Sequence, residues 1–408
     1  KEEFKGTYLT SSALSFEELE QLNAEAPIDA IIIDWENLDC PNYYFERISQ
    51  DPRFSICPII TYFKNLEERD LNFFKEYSFK YLVNIGLNLQ KAVLDMGEIL
   101  KEEQNSKKNS IRQIKHIREF FHALHNSDFT KADQILETHI KSYSSDQEIV
   151  YYCGLTLKTQ KNFKESVKFL AHGMNISRKK RDLDCRFLHL LGNVFFKVKD
   201  YEQAYSFLDA AERVSSLNLR RKFILGQLCY ENKDHDEALT KFLEIHDQCP
   251  EYPGIHGRIV ELKYPNCENI DEVDKLGVYI GRISERKLIK VYKNLKSVNK
   301  PVLERRLLDL IIREFSKYAE KSISRADFYG AVKYYNHIKK IIEPSDLKRN
   351  RILLFCFARL YVKAGDYSMA ERYLKELEEI TAEDDKNVRK LKMQIVKGRD
   401  RRKKRSAS

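Results

Sequence analysis

The 408-residue chain is 42% hydrophobic and 33% charged, with only 14 Gly and 9 Pro, which suits a multidomain, helix-rich globular protein and excludes a disordered or collagen-like one. Its formal net charge of +9 is spread along the chain apart from the basic end Lys397–Ser408. Apolar runs such as Ala30–Ile33 are too short to cross a bilayer, and no charged n-region leads into a long apolar h-region. The chain opens without Met, so its natural start is expected to lie upstream. Its 8 Cys include no CxxC pair, which points to reduced thiols and a cytoplasmic setting.

In chain order, Gly6–Ser12 reads as a short strand and Ser15–Glu25 as a helix. Asp29–Trp35 is an apolar, β-branched strand ending in a carboxylate, followed by a helix over Tyr43–Gln50. Cys57–Phe63 and Lys80–Gly86 read as further strands, with helices over Leu66–Tyr77 and Leu89–Glu102. Continuous apolar strands alternating with helices predict a parallel sheet covered on both faces. Functional groups in such sheets gather at the carboxyl ends of the strands, where Asp34 sits.

Asp34, Trp35 and Leu38, then the Pro58-led strand, then Tyr81 resemble the receiver domain of two-component response regulators over residues 1–103. The resemblance implies a flavodoxin-like α/β fold with Asp34 as candidate phosphoacceptor and Mg²⁺ as cofactor where that site functions. The departures are chemical. Asp39 stands where the family has Pro, Phe63 takes the hydroxyl position, and Asn84 and Ile85 replace the Lys-Pro pair. The opening strand with its acidic pair is missing, so the chain starts inside the domain, or the sheet has four strands, or a partner supplies one. Without those carboxylates and the Lys, Mg²⁺ and the phosphoryl oxygens lack their ligands. The plainer reading makes Asp34 a strand-end group capping a loop.

Residues 104–110 read as a polar linker, and 111–390 as a helical array. Gly192 and Gly226 stand 34 residues apart, as do Ala204 and Ala238. This spacing resembles the tetratricopeptide repeat (TPR), with small residues at positions 8, 20 and 27 of a 34-residue unit. Leu191, Gly192, Phe195, Ala204 and Ala211 fill one unit, and Leu225, Gly226, Ala238, Phe242 and Pro250 the next. Ala358, Tyr361, Gly365, Ala370 and Leu374 mark the last, and Gly154 with Ser166, Ala132, and Ala331 with Tyr335 mark weaker copies. Residues 251–302 break the rhythm at Pro253, Pro265 and Pro301, predicting divergent hairpins or a hinge. Residues 391–408 read as a helix end and a disordered basic tail.

The repeat's usual geometry turns the first helix of each pair toward a concave groove. The candidates there are Tyr151, Leu155 and Lys158, then Arg186, His189, Asn193 and Phe196, then Arg220, Phe223, Gln227 and Tyr230. Aromatics mixed with Arg, Lys and amides suit a peptide with apolar anchors and acidic groups. The reading is a non-enzymatic, cytoplasmic, bacterial signalling adaptor that binds protein partners, with no catalytic residues, resident metal, cofactor or small-molecule ligand. A phosphorylation-switched regulator with TPR output ranks second. Nucleic-acid binding through the tail, Arg178–Arg181 and Arg220–Lys222 ranks third.

Overall fold

The computed structural model describes residues 11–13, 15–25, 28, 30–50, 54, 57–77, 81–86, 88–109, 119, 123, 128–140, 147–179, 184–298, 300–381 and 385–406. The chain divides into two units, Lys1–Tyr252 and Pro253–Ser408. The expected boundary near residue 103 is therefore not where the units part, and the first repeats belong with the α/β half.

The first unit begins with α1 (Phe16–Glu25), β1 (Ile31–Asp34), α2 (Pro41–Gln50), β2 (Ile59–Phe63), α3 (Glu68–Glu76), β3 (Tyr81–Asn84) and α4 (Leu89–Asn109). Parallel neighbours need a crossover; here α2 and α3 supply it, and the described strands form one parallel sheet in the order β1-β2-β3. Ile31 pairs with Ile59, and Ile60 with Tyr81. One core gathers Trp35, Phe45, Phe73 and Phe74, with the Trp35 and Phe74 rings 4.6 Å apart. A second core joins Ile60 and Val83 to Ala92 and Met96 of α4.

Three expectations need amendment. Ile32 is 40% exposed, so β1 is not buried on both faces as β2 is. Most of the expected first strand lies outside the described residues, and Ser11 and Ser12 are not strand. The expected linker continues α4 as helix to Asn109, while Ser110 lies outside the described residues.

Next come α5 (Phe129–Ile140) and three helix pairs: α6 (Gln147–Thr159) with α7 (Phe163–Lys179), α8 (Cys185–Lys197) with α9 (Tyr201–Val214), and α10 (Leu219–Glu231) with α11 (His235–Gln248). The glycine beat follows from close packing. A Cβ on Gly192 would sit 2.4 Å from Leu208 Cγ, one on Gly154 2.4 Å from Leu170, and one on Gly226 2.9 Å from Phe242. Ser166, in place of the usual Ala, is tolerated because its buried Oγ donates to the Gly154 carbonyl at 2.7 Å.

The turns repeat as closely as the helices. Lys161, Lys199, Lys233, Ala326 and Gly365 all adopt the left-handed conformation. The next N–H reaches back to the carbonyl five residues earlier: Asn162 to Leu157 (2.8 Å), Asp200 to Phe195 (3.0 Å), Asp234 to Cys229, Asp327 to Ser322 and Asp366 to Tyr361 (each 2.9 Å). This bond closes a helix C-terminus. Asp200, Asp234, Asp327 and Asp366 then cap the following helix with their side chains.

In the second unit the rhythm lapses into short helices: α12 (Ile255–Lys263), a 3₁₀ turn (Tyr264–Asn266), α13 (Ile270–Lys275), α14 (Gly277–Ile280) and α15 (Glu285–Lys296). Regular pairs resume with α16 (Pro301–Ser324) and α17 (Phe328–Ile341), then α18 (Leu347–Ala364) and α19 (Tyr367–Glu379). The final helix, α20 (Lys386–Ser406), corrects the expected disordered tail. Its Val388, Leu391 and Ile395 pack with Leu374 and Leu377, so the basic end extends a helix that is anchored at its start. No helix among the described residues is long and apolar enough to cross a membrane.

Gly192→Ala should destabilise the first unit by about 1–3 kcal/mol because Leu208 and the Ala204 carbonyl crowd the new methyl. Gly97→Ala on α4, where a Cβ meets nothing within 4 Å, should instead gain about 0.5–1 kcal/mol. Urea unfolding followed by circular dichroism separates the two.

Candidate functional site

At the end of β1, the Asp34 carboxylate is held by its own neighbours. Tyr62 donates its hydroxyl to Oδ2 at 2.7 Å, and Asn37 donates its side-chain and backbone N–H groups at 2.9 and 3.1 Å. Burial would raise the Asp34 pKa, but these bonds outweigh it and hold the carboxyl below its ordinary value. Beside it, Glu36 Oε1 accepts from the Lys64 and Asn65 backbone N–H groups at 2.9 and 2.8 Å. Asn84, at the Lys position of the receiver resemblance, accepts from Gly86 N–H at 2.7 Å. Among the described residues no three His, Cys, Asp or Glu side chains converge to hold a metal ion.

The groove candidates lie on α6, α8 and α10, the first helices of three successive pairs. Several serve packing. Tyr151 stands edge-on to Phe187 at 5.7 Å, with the Arg186 guanidinium 5.0 Å over its ring. Arg186 also pairs with Asp184 at 2.7 Å. Phe196 packs on Tyr201 at 6.1 Å, Tyr230 on His235 at 5.6 Å, and Phe223 lies 5.8 and 5.9 Å from Phe242 and Tyr252. Leu155 and Gln227 are half-buried.

The remaining candidates are Lys158 on α6, His189 and Asn193 on α8, and Arg220 on α10. The His189 ring lies 2.9 Å from the amide of buried Asn193, while its buried Nδ1 has no hydrogen-bond partner. Burial, then Arg221, Arg220 and Lys158, holds His189 neutral, well below its ordinary pKa. Lys158 is half-buried, and among the described residues no hydrogen bond or ion pair engages its ammonium. Burial first, then Arg220 and Lys197, pushes its pKa down to about 8.

Sequence reasoning missed a third feature, the seam between the α/β half and the repeats. Arg221, 0% exposed, donates to Glu76 of α3 at 2.6 and 3.3 Å, to Glu212 at 3.0 Å and to the Ser215 carbonyl. Asn218 donates to Glu76 at 2.8 Å and to Tyr77 at 3.2 Å. Glu46 of α2 accepts from the Leu219 N–H at 2.8 Å, and Asn42 donates to the Leu217 carbonyl at 2.9 Å. Leu217 joins the aromatic core of the α/β half, and Tyr43 meets Tyr252 at 5.4 Å. Burial, then Glu76, pushes the Glu46 carboxyl up to about 8. Lys222 is likewise buried and donates to Glu244 at 2.8 Å. Two members of the expected phosphate-binding cluster Arg220–Lys222 are thus consumed inside the protein. The available signal was positional, since Glu76 follows Phe73 by three residues and so shares its buried helical face.

Helix pairs in both units share one left-handed turn, and in the first unit a small parallel sheet packs against α10 and the turn before it. No family model matches the sequence, and no curated protein does. Among solved structures the chain is similar to MamA AMB-1, at 15% identity over 47% of this chain and 93% of that one, with a TM-score of 0.31. It is also similar to a tetratricopeptide repeat protein from Parabacteroides merdae, at 11% identity over 69% and 98% of the two chains and a TM-score of 0.34. The APC/C hetero-tetramer Cut9-Hcn1 gives 13% identity over 67% and 61%, with a TM-score of 0.35. At these scores the likenesses carry no argument.

Glu76→Ala should cost the first unit about 3–5 kcal/mol, because it strips the Arg221 charge of its main partner. The double change Glu76→Leu with Arg221→Met should recover most of that loss. Trp35, the chain's one Trp, sits 8% exposed beside Phe74 and reports unfolding by fluorescence. The Glu46 pKa, raised from an ordinary 4.5 to about 8 in the folded state, means the native protein holds a proton that the unfolded chain releases. Stability from this group is therefore complete below about pH 4.5 and lost as pH rises through 8. The urea midpoint read at Trp35 should fall between pH 6 and pH 8.5, and Glu46→Gln should flatten that slope.

Proposed function

We propose that the chain is a non-enzymatic adaptor that binds protein partners through the face built by α6, α8 and α10, with the receiver-like α/β half serving as a docked structural module and not as a phosphate switch. The observation that carries this reading is the placement of Lys158, His189, Asn193 and Arg220 on successive first helices, where the Lys158 ammonium has no counterion among the described residues. Repeat arrays bind on such faces because each unit adds one helix to a continuous surface.

Support for phosphate independence comes from Asp34, whose lone pairs are taken by Tyr62 and Asn37, and from Asn84, an amide where a receiver keeps a Lys. Phosphoryl transfer to a carboxylate needs cations on the equatorial oxygens. Glu36, two residues after Asp34, accepts from the Lys64 and Asn65 N–H groups and so ties down the loop after β2.

Affinity capture with the full chain, against the Lys158→Met, Arg220→Gln chain, tests the adaptor reading: at least one protein should be retained by the first and lost from the second. Titration with beryllofluoride and Mg²⁺ should leave Trp35 fluorescence unchanged. A saturable change abolished by Asp34→Asn would instead establish the phosphorylation-switched regulator.

A further inference from the structure

We infer that the outer face of α15 (Glu285–Lys296) is a docking surface for the phosphate backbone of a duplex nucleic acid. It lies in the second unit, where the repeat rhythm lapses, and so goes beyond the first-unit face of the adaptor reading. α15 carries five cations and one acid in 12 residues. Its Leu288, Val291, Tyr292 and Leu295 are buried in the core of this unit. At about 100° per residue, Arg286, Lys290 and Lys293 share the face opposite that core, with Lys287 at its margin, and all four are exposed. Among the described residues no hydrogen bond or ion pair engages the charged groups of these four. The roll of the helix is fixed from both sides. Asn294 donates to Glu261 of α12 at 2.8 Å, Lys296 pairs with Glu343 at 2.8 Å, and Glu285 pairs with Lys333 of α17. Those pairs also spend Glu285 and Glu343, the acids at the two ends of α15, and leave the outer face purely cationic.

Such a face is unfavourable unless an anion covers it. Arg286 and Lys287 sit in the first turn, where the helix dipole disfavours cations. Arg286 with Lys290, and Lys290 with Lys293, are like-charge neighbours four and three residues apart. From Arg286 to Lys293 the axis rises about 10 Å. A duplex strand bears one phosphate about every 3.4 Å of its axis, so these cations match a run of about three phosphates. An anionic membrane fits less well, because an interfacial helix needs an apolar face to insert, and that of α15 is already buried in the core. A single strand also fits less well. It relies on aromatic platforms for its bases, and Tyr292, the one aromatic residue of α15, is buried.

The test measures binding of the full chain to labelled DNA and RNA duplexes by fluorescence anisotropy across a salt series. On logarithmic axes the affinity for at least one duplex should fall with salt at a slope of about −3 to −4, as expected for four phosphate contacts. Two unrelated sequences should bind equally, since phosphate contacts carry no sequence information. Arg286→Gln, Lys290→Gln and Lys293→Gln should each flatten the slope by about one. All three together should weaken binding at low salt by at least about tenfold, and circular dichroism melting verifies that the variants fold. No binding to either duplex, a slope unmoved by the three variants, or a loss produced only by Arg401→Gln with Lys404→Gln at the basic end would overturn the proposal. Tighter binding of the matching single strand, or displacement of the duplex by phosphatidylserine vesicles at equal anion concentration, would overturn it as well.

Discussion

The buried Arg221 guanidinium is the constraint on which the first unit depends. A charge with 0% exposure survives only where several groups compensate it, and here Glu76, Glu212 and the Ser215 carbonyl do so together. Those partners come from the α/β half, from α9 and from the turn before α10. Satisfying one cation thus sets how three parts of the chain meet. The surrounding contacts are subordinate to it. Glu46 caps the Leu219 N–H at the start of α10, and Asn42 satisfies the Leu217 carbonyl just before it. Apolar packing of Leu217 and Tyr252 alone would tolerate sliding, whereas a bidentate ion pair fixes one orientation.

The repeat array was legible because packing leaves a period in the chain. A helix crossing that brings Leu208 against Gly192 excludes any side chain at that position, and the same crossing recurs at Gly226 with Phe242. The capping Asp residues at 200 and 234 recur for the same reason, since each turn exposes the same N–H groups. The strands were legible as β-branched runs. Their full burial was not, because Ile32 resembles its neighbours Ile31 and Ile33 in every respect except the face it occupies.

What stayed hidden has no period. Arg221 and Glu76 are separated by 145 residues; in sequence Arg221 belongs to a basic run, while Glu76 resembles an ordinary helical surface charge. Pairing across such a distance leaves only a faint trace, a carboxylate on the apolar face of α3. The basic end misled for a related reason. It follows directly on Val388, Leu391 and Ile395, three or four residues apart on one face, which anchor α20 against α19. Composition reported the solvated side of that helix and concealed its buried side.

Adjacent residues on α10 separate the two roles of the first unit. Successive positions on a helix point about 100° apart, so Arg220 stays exposed while Arg221 turns into the seam. The difference between them lies in what surrounds each charge. On the seam side the chain supplies its own carboxylates, and the geometry is closed. On α6, by contrast, Lys158 is half-buried, and among the described residues no hydrogen bond or ion pair engages its ammonium. Internal neutralisation of Arg221 thus builds structure. The helix that locks the α/β half in place is therefore also the one that carries Arg220 on its exposed side.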